Sequence, residues 1–507
     1  MIQLILDFKK KLPKITGNKD YQTQVDLFVR IGELIKLSGL DWILFKHLMA
    51  QKRKDPTISK KTLNEVSYRT KVLNQAKMIL RTINAKNILR ESYRGFAVRM
   101  ADSPMLQQFC LIDNGFNPTL HIPSKSTLQT WETIIPKEII DKMNDILLLA
   151  STETRIDRLG IKESRLKLES ELELKDCYLD TTCLEANIHY PVDWLLLRDA
   201  VRSLTLSIIQ VRKYGISNRM TAPKTFMTEM NKYCIAVSQA INSRKEGSRK
   251  QKKTIIREMI SILKKVGKHA EKHLSLLNEQ WQEAGMHEGT KDQIVKKIEN
   301  VLNQLAAIIY QVRERVIGER IIDNDKKILS LHESEAKVIV RKKSGSKTEF
   351  GNTLAIMEQM DGLITAYKLY QTKVPSDCKE VLPDMLEMYS NSFPEHPMKS
   401  LTGDRGFDSK DSKKVLGNIG YNICHRNVKK LAAAMTEDNF ANKQRRRAST
   451  EARIHIVKNI FYDEPVRAKG FENRERRVAW AVLAHNLWKL ARLPRIQDYQ
   501  CDLEFAA

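Results

Sequence analysis

Strand-like sequence falls in two separated stretches of this chain, and that order constrains the fold more than any other feature. The first stretch is 174–188, LKDCYLDTTCLEANI. Here β-branched, aromatic and threonine residues cluster, and apolar and polar positions alternate around 177–182. The second begins after residue 335. It predicts strands at 337–341, 348–356 and 363–369, with a 343–347 turn and an Asp361-Gly362 turn, and then strand sequence at 400–404 and 421–424. Between the two stretches, from about 194 to 321, the pattern is one long helical block. From about 450 to 492 it is helical again, including an amphipathic run at 479–493. Strand, helical block, several strands and then helices fit one mixed α/β domain with a large helical insertion after its first strand better than two independent domains.

The first 150 residues read as helical, with apolar residues three and four apart over 27–37 and 66–83. A turn-rich stretch at 113–126 interrupts them, and Ser124 or Ser126 is placed to cap the next helix. Short helices joined by polar turns suit a helix-turn-helix module with the helix after Ser126 as its recognition element. They suit an ordinary helical domain equally well. The expected organisation is a helical DNA-binding domain over 1–150, an α/β domain over 170–493 with a basic helical insertion at 193–330, and a tail over 494–507.

Charge narrows the partner. The chain carries 86 Lys and Arg against 61 Asp and Glu, a formal net charge of +25. Residues 201–320 alone hold 23 basic and 11 acidic residues. A one-sided excess of this size recruits polyanions, and nucleic acid is the expected partner. A hydrophobic content of 42% is enough to bury real cores. No apolar run reaches the roughly 20 residues of a spanning helix, and the short apolar N-terminus precedes its charges, the reverse of a secretory signal. Seven scattered cysteines without C-x-x-C spacing point to a reducing, cytoplasmic setting.

Three acids stand at suggestive positions. Asp180 is expected at the end of one strand and Asp404 at the end of another, while Glu451 is expected to open a helix. Carboxylates converging from such places repel one another unless a cation intervenes, and hard oxygen ligands suit Mg²⁺ or Mn²⁺. Two ions about 3.5–4 Å apart would clamp the attacking and leaving oxygens of a phosphodiester displacement. Helical spacing also puts Arg447, Glu451, His455 and Lys458 on one face. The blander alternative is a solvated helix with ordinary ion pairs and an Asp180 that satisfies a turn.

Taken together, these segments resemble the DDE transposases of bacterial insertion sequences. The resemblance rests on Asp180 in YLDTT, Asp404 in TGDRGF, and Arg447-x3-Glu451-x6-Lys458, the spacing of a signature carried by one branch of that family. The stretches LEANIHYPVD at 184–193, TEFGN at 348–352 and AHNL at 484–487 are similar too. The signature's tyrosine is replaced by Gln444, and only 47 residues separate Asp404 from Glu451, so the insertion lies after the first strand instead. The resemblance covers 170–195 and 335–493 well and the N-terminal 150 residues more weakly. It implies a ribonuclease-H-like catalytic domain in which Asp180, Asp404 and Glu451 hold two Mg²⁺ or Mn²⁺ ions. It also implies that Arg447 and Lys458 position DNA phosphates. Arg405 would do the same or orient Asp404. The implied activity is cleavage at the terminal inverted repeats of an element and joining of the 3′-OH ends to target DNA. A homodimer on double-stranded DNA, in a nucleoid-associated cytoplasmic setting, is the matching partner state. The alternatives are a metal-dependent nuclease without strand transfer and a non-catalytic DNA-binding protein derived from a transposase.

Other constellations are weaker. His269 and His273 have a helical zinc spacing but not the H-E-x-x-H order. There is no Walker-type loop and no G-x-S-x-G elbow, and no serine or tyrosine stands out as a recombinase nucleophile.

Overall fold

The computed structural model describes residues 15–112, 119–156, 162–190, 192–243, 247–340, 348–462 and 468–496. The expected 343–347 turn, parts of the 113–126 turn and of the 494–507 tail, and Cys501 lie outside them.

The fold is mixed α/β around one six-stranded sheet. Its strands are β1 (Asp176–Glu185), β2 (Lys337–Val340), β3 (Thr348–Gln359), β4 (Ile364–Leu369), β5 (Ser400–Gly403) and β6 (Gly420–Ile423). β1 pairs antiparallel with β3 from Cys177↔Gln359 to Glu185↔Gly351. On its other side β1 pairs parallel with β5, from Asp176↔Ser400 to Leu179↔Gly403, and β5 pairs parallel with β6. The far edge of β3 is shared end to end by antiparallel β2 and β4. β3 and β4 are joined by a tight turn that Gly362 makes possible. Its φ is +83°, and a Cβ there would lie 2.3 Å from the Arg453 guanidinium.

Before β1 come α1 (Lys19–Ser38), α2 (Leu40–Arg53), α3 (Val66–Ile88), α4 (Lys125–Ile134) and α5 (Lys137–Thr152), with shorter helices between. Ser124 caps α4, accepting from the Thr127 N–H at 3.2 Å. These helices and the sheet share one continuous hydrophobic core. Between β1 and β2 lie α6 (Asp193–Arg212), α7 (Pro223–Asn242), α8 (Ser248–Gln280) and α9 (Glu288–Val312). They form a bundle with a separate core. Gly267 lets α8 approach α9 closely, since a Cβ there would sit 3.0 Å from Leu305. The two ends of the bundle are pinned together at Asp193, which accepts from Gln311 at 2.9 Å and pairs with Arg315 at 2.7 Å. After β5 and β6 come α10 (Asp438–Ile456) and α11 (Phe471–Leu490).

Three local expectations need correction. β1 does not end at Asp180 but runs on to Glu185, because β3 keeps pairing with it after β5 has stopped. α10 starts at Asp438 rather than near 450, its first half being too polar to show an apolar period. The 479–493 run, expected to be amphipathic, is buried on all sides over most of its length. α11 is enclosed from Val478 to Leu487, with N-terminal helices α1, α3 and α5 around it. Its Asn486 accepts from the Ile364 N–H and donates to the Ile364 carbonyl, both at 2.9 Å, and so ties α11 to β4. The six cysteines among the described residues are free thiols, and no described helix is long and apolar enough to cross a membrane.

Candidate active site

Alternation along β1 sends Cys177 and Leu179 into the main core and turns Asp176, Tyr178 and Asp180 to the opposite face. Asp180 stands one residue past the last parallel pair, Leu179↔Gly403, and Asp404 stands one residue past it on the neighbouring strand. The two acids are therefore brought to adjacent places where β1 and β5 part. Asp404 is fixed by the turn it starts: its Oδ1 accepts from the Gly406 N–H at 2.8 Å. That turn is crowded, since a Cβ on Gly406 would meet the Asp377 carboxylate at 2.6 Å and Asp404 at 2.9 Å. Arg426 holds it from the far side, donating to the Arg405 and Gly406 carbonyls at 3.0 and 2.9 Å. The Arg405 side chain itself is exposed. The orienting contacts on Asp404 come from the Gly406 backbone, with Arg426 as the brace behind it.

α10 crosses this face of the sheet, docked by a row of polar contacts. Lys443 reaches Asp176 at 2.9 Å and the Ser400 hydroxyl at 2.6 Å. Gln444, at the signature's tyrosine position, donates to the Asn422 carbonyl of β6 at 2.6 Å. Arg446 stacks 4.7 Å from the Tyr178 ring centre and pairs with Glu358 at 2.9 Å. Glu358 is fully buried on β3 and also receives Thr450 at 2.8 Å and Arg453 at 3.2 Å. Sequence reasoning missed this anchor. The available signals were a lone acid directly after the apolar run Leu354–Met357 and the i, i+4, i+7 spacing of Arg446, Thr450 and Arg453.

With that face of α10 docked, Arg447 and Glu451 fall on its flank. Their side chains pair at 3.2 Å, and Glu451 is 61% exposed. His455 is exposed and bonded to Asn459, and half-buried Lys458 lies in a π-helical turn, Val457–Phe461. Electrostatics link the flank to β1. Burial, and then the negative charge of Asp404, push the Asp180 carboxyl up to about 6. The Thr181 N–H and Arg447 oppose that rise, and Glu451 adds to it.

Among the described residues no three His, Cys, Asp or Glu side chains converge closely enough to grip a metal ion. The donor set nevertheless suits a hard cation. It is all carboxylate, and the part of Asp180's raised proton affinity that Asp404 and Glu451 add to burial is what a divalent ion would relieve.

The weaker constellations resolve as structural. His273 is buried in the bundle and its Nδ1 bonds the His269 carbonyl at 2.7 Å, and among the described residues the pair is joined by no third His, Cys, Asp or Glu that would complete a metal site. Tyr421 donates to Asp408 at 2.6 Å, and Tyr178 lies beneath Arg446 with its hydroxyl 3.3 Å from the Met360 sulfur. Burial first, and then the carboxylate, raises the Tyr421 phenol, so it is held neutral. On α4, Leu128 and Glu132 face inward while Ser126, Gln129, Thr130 and Thr133 form an exposed polar face. No family model, curated protein or solved structure matches the chain.

Proposed function

We propose that this protein is a DDE transposase with a ribonuclease-H-like catalytic domain. The observation that carries the reading is the pairing of Asp180 and Asp404 one step past Leu179↔Gly403, with Glu451's charge acting on Asp180 from a helix docked across the same face. The strand order supports it as well. β1 is flanked by antiparallel β3 on one side and parallel β5 on the other, with β4 antiparallel to β3 and β6 parallel to β5, a mixed sheet of the kind the reading needs.

In this reading Asp180, Asp404 and Glu451 hold Mg²⁺ or Mn²⁺. The ions supply Lewis-acid stabilisation of the attacking and leaving oxygens. The chain's own residues set the geometry. The Gly406 N–H fixes one Asp404 oxygen, and Glu358 locks α10 so that Glu451 stays beside β1. Arg447 lowers the charge cost at Asp180 and, with Lys458, offers positive charge to the scissile strand's phosphates. The substrate is duplex DNA at the element's ends, bound by a dimer, and the freed 3′-OH is then joined to target DNA.

The test is Mg²⁺-dependent cleavage of a labelled duplex carrying the flanking element end, beside Asp180→Ala, Asp404→Ala and Glu451→Ala. Wild type should nick at the end, and each variant should bind but cut at least about 1,000-fold more slowly. Variants that cut like wild type would remove the site. Cleavage without joined products would leave a nuclease.

A further inference from the structure

The charge of the helical insertion is concentrated on one helix. α8 carries nine Lys and Arg against three Glu, whereas α9 carries three of each sign, α7 two against one, and α6 three against two. On α8 the charge is ordered further. Helical spacing lines up Lys250, Thr254, Arg257, Ser261, Lys264, Lys265, Lys268, Lys272 and Ser275 as one stripe, and every one of these nine residues is exposed. The opposite side of α8 is the bundle core, including Ile256, Met259, Leu263, Val266 and Ala270. No acid falls within the stripe: Glu258 and Glu271 lie to either side of it, and exposed Glu279 follows its last residue by one turn. Among the described residues none of its cations is in a salt bridge, and Lys265 lies 5.5 Å from the Phe226 ring centre. Arg249 and Lys253, off the stripe, are the ones that pair with Glu319.

We propose that this stripe is a surface for the phosphate backbone of double-stranded DNA. This rests on the transposase reading for its biological partner. Three features select the partner. Lysines and hydroxyls are phosphate donors, and at 1.5 Å per residue the stripe spans about 38 Å, roughly one turn of duplex. No large apolar residue of α8 is exposed, so the helix has nothing to bury in a lipid surface. No aromatic residue stands in the stripe, so unpaired bases find no stacking platform. Contacts of this kind read charge and shape, and the binding is indifferent to sequence.

The experiment titrates the full chain with a random-sequence duplex, without divalent ions, across a salt series. It compares wild type with the combined Lys264→Gln, Lys265→Gln, Lys268→Gln and Lys272→Gln variant. Counterion release predicts that the slope of log affinity against log salt falls by about 3–4 in the variant, and that a matching four-arginine variant restores it. Protection of these lysines from acetylation when duplex is added to wild type reads the same surface without any substitution. An unchanged slope together with unprotected lysines overturns the proposal. So does a loss confined to phosphatidylserine vesicles. The end-cleavage assay on wild type separates the two readings. Cutting with an unchanged slope refutes the stripe alone, and a lowered slope without cutting refutes the chemistry alone.

Discussion

Two enclosed carboxyl sites in this molecule have opposite electrostatics. Glu132 on α4 lies in the main core between Arg477 at 2.9 Å and Lys86 at 3.3 Å. Burial pushes its carboxyl up, but the two cations and the Tyr93 hydroxyl outweigh it and hold the group down at about 2. Asp180 is driven the other way, to about 6, by burial and by the acids it faces. Glu358 is likewise buried between two cations, Arg446 at 2.9 Å and Arg453 at 3.2 Å. A paired buried acid joins helices, here α4 to α3 and α11, or α10 to the sheet. A buried acid that faces other acids joins nothing, and its ionisation works against the fold.

The contrast breaks most easily at the paired sites. Glu132→Ala strands Arg477 and Lys86 in the core and should cost about 3–5 kcal/mol in urea unfolding. Glu358→Ala should cost a similar amount, and losses under about 1 kcal/mol at both would erase the distinction.

The pH dependence sharpens it. Glu132's folded value lies below its ordinary 4.5, so its stabilisation is complete above 4.5 and is lost as pH falls towards about 2. Wild type should lose on the order of 3 kcal/mol across that window relative to Glu132→Gln.

Asp180 has the opposite sign. Its folded value lies above the ordinary 3.8, so its ionisation destabilises the fold progressively between 3.8 and about 6, and fully above that. Asp180→Asn should therefore gain on the order of 3 kcal/mol at pH 7.5 and nothing near pH 3, as thermal unfolding will show. Added Mg²⁺ should stabilise wild type more than this variant.

The smallest effect belongs to Glu451→Gln. Its pairing with Arg447 is exposed and one helical turn long, so stability should shift by no more than about 0.5 kcal/mol. The same substitution should abolish end cleavage.

Much of the fold was legible in local pattern. Alternation located β1, strand-like composition between turn signals located the other strands of the main sheet to within a few residues, and the 3.6-residue period located the insertion, whose helices run from Asp193 to Val312. The misses have physical causes. The start of α10 is hidden because ANKQRRRAST at 441–450 has no apolar period, its docking being polar. Glu358 was overlooked because an acid in a strand reads as solvent-facing unless its partners, 88 and 95 residues away, are known.

The sequence by itself determined the periodicities, the charge excess, the i, i+4 relation of Arg447 and Glu451, and the presence of three candidate acids. All of these depend on neighbours within a few residues. Only the tertiary structure decided that Asp180 stands beside Asp404, because that follows from the parallel register Leu179↔Gly403 across more than 200 residues of chain. It also decided which acids are neutralised and which repel. A carboxylate's energy depends on what surrounds it in space, and packing brings those groups from distant parts of the chain.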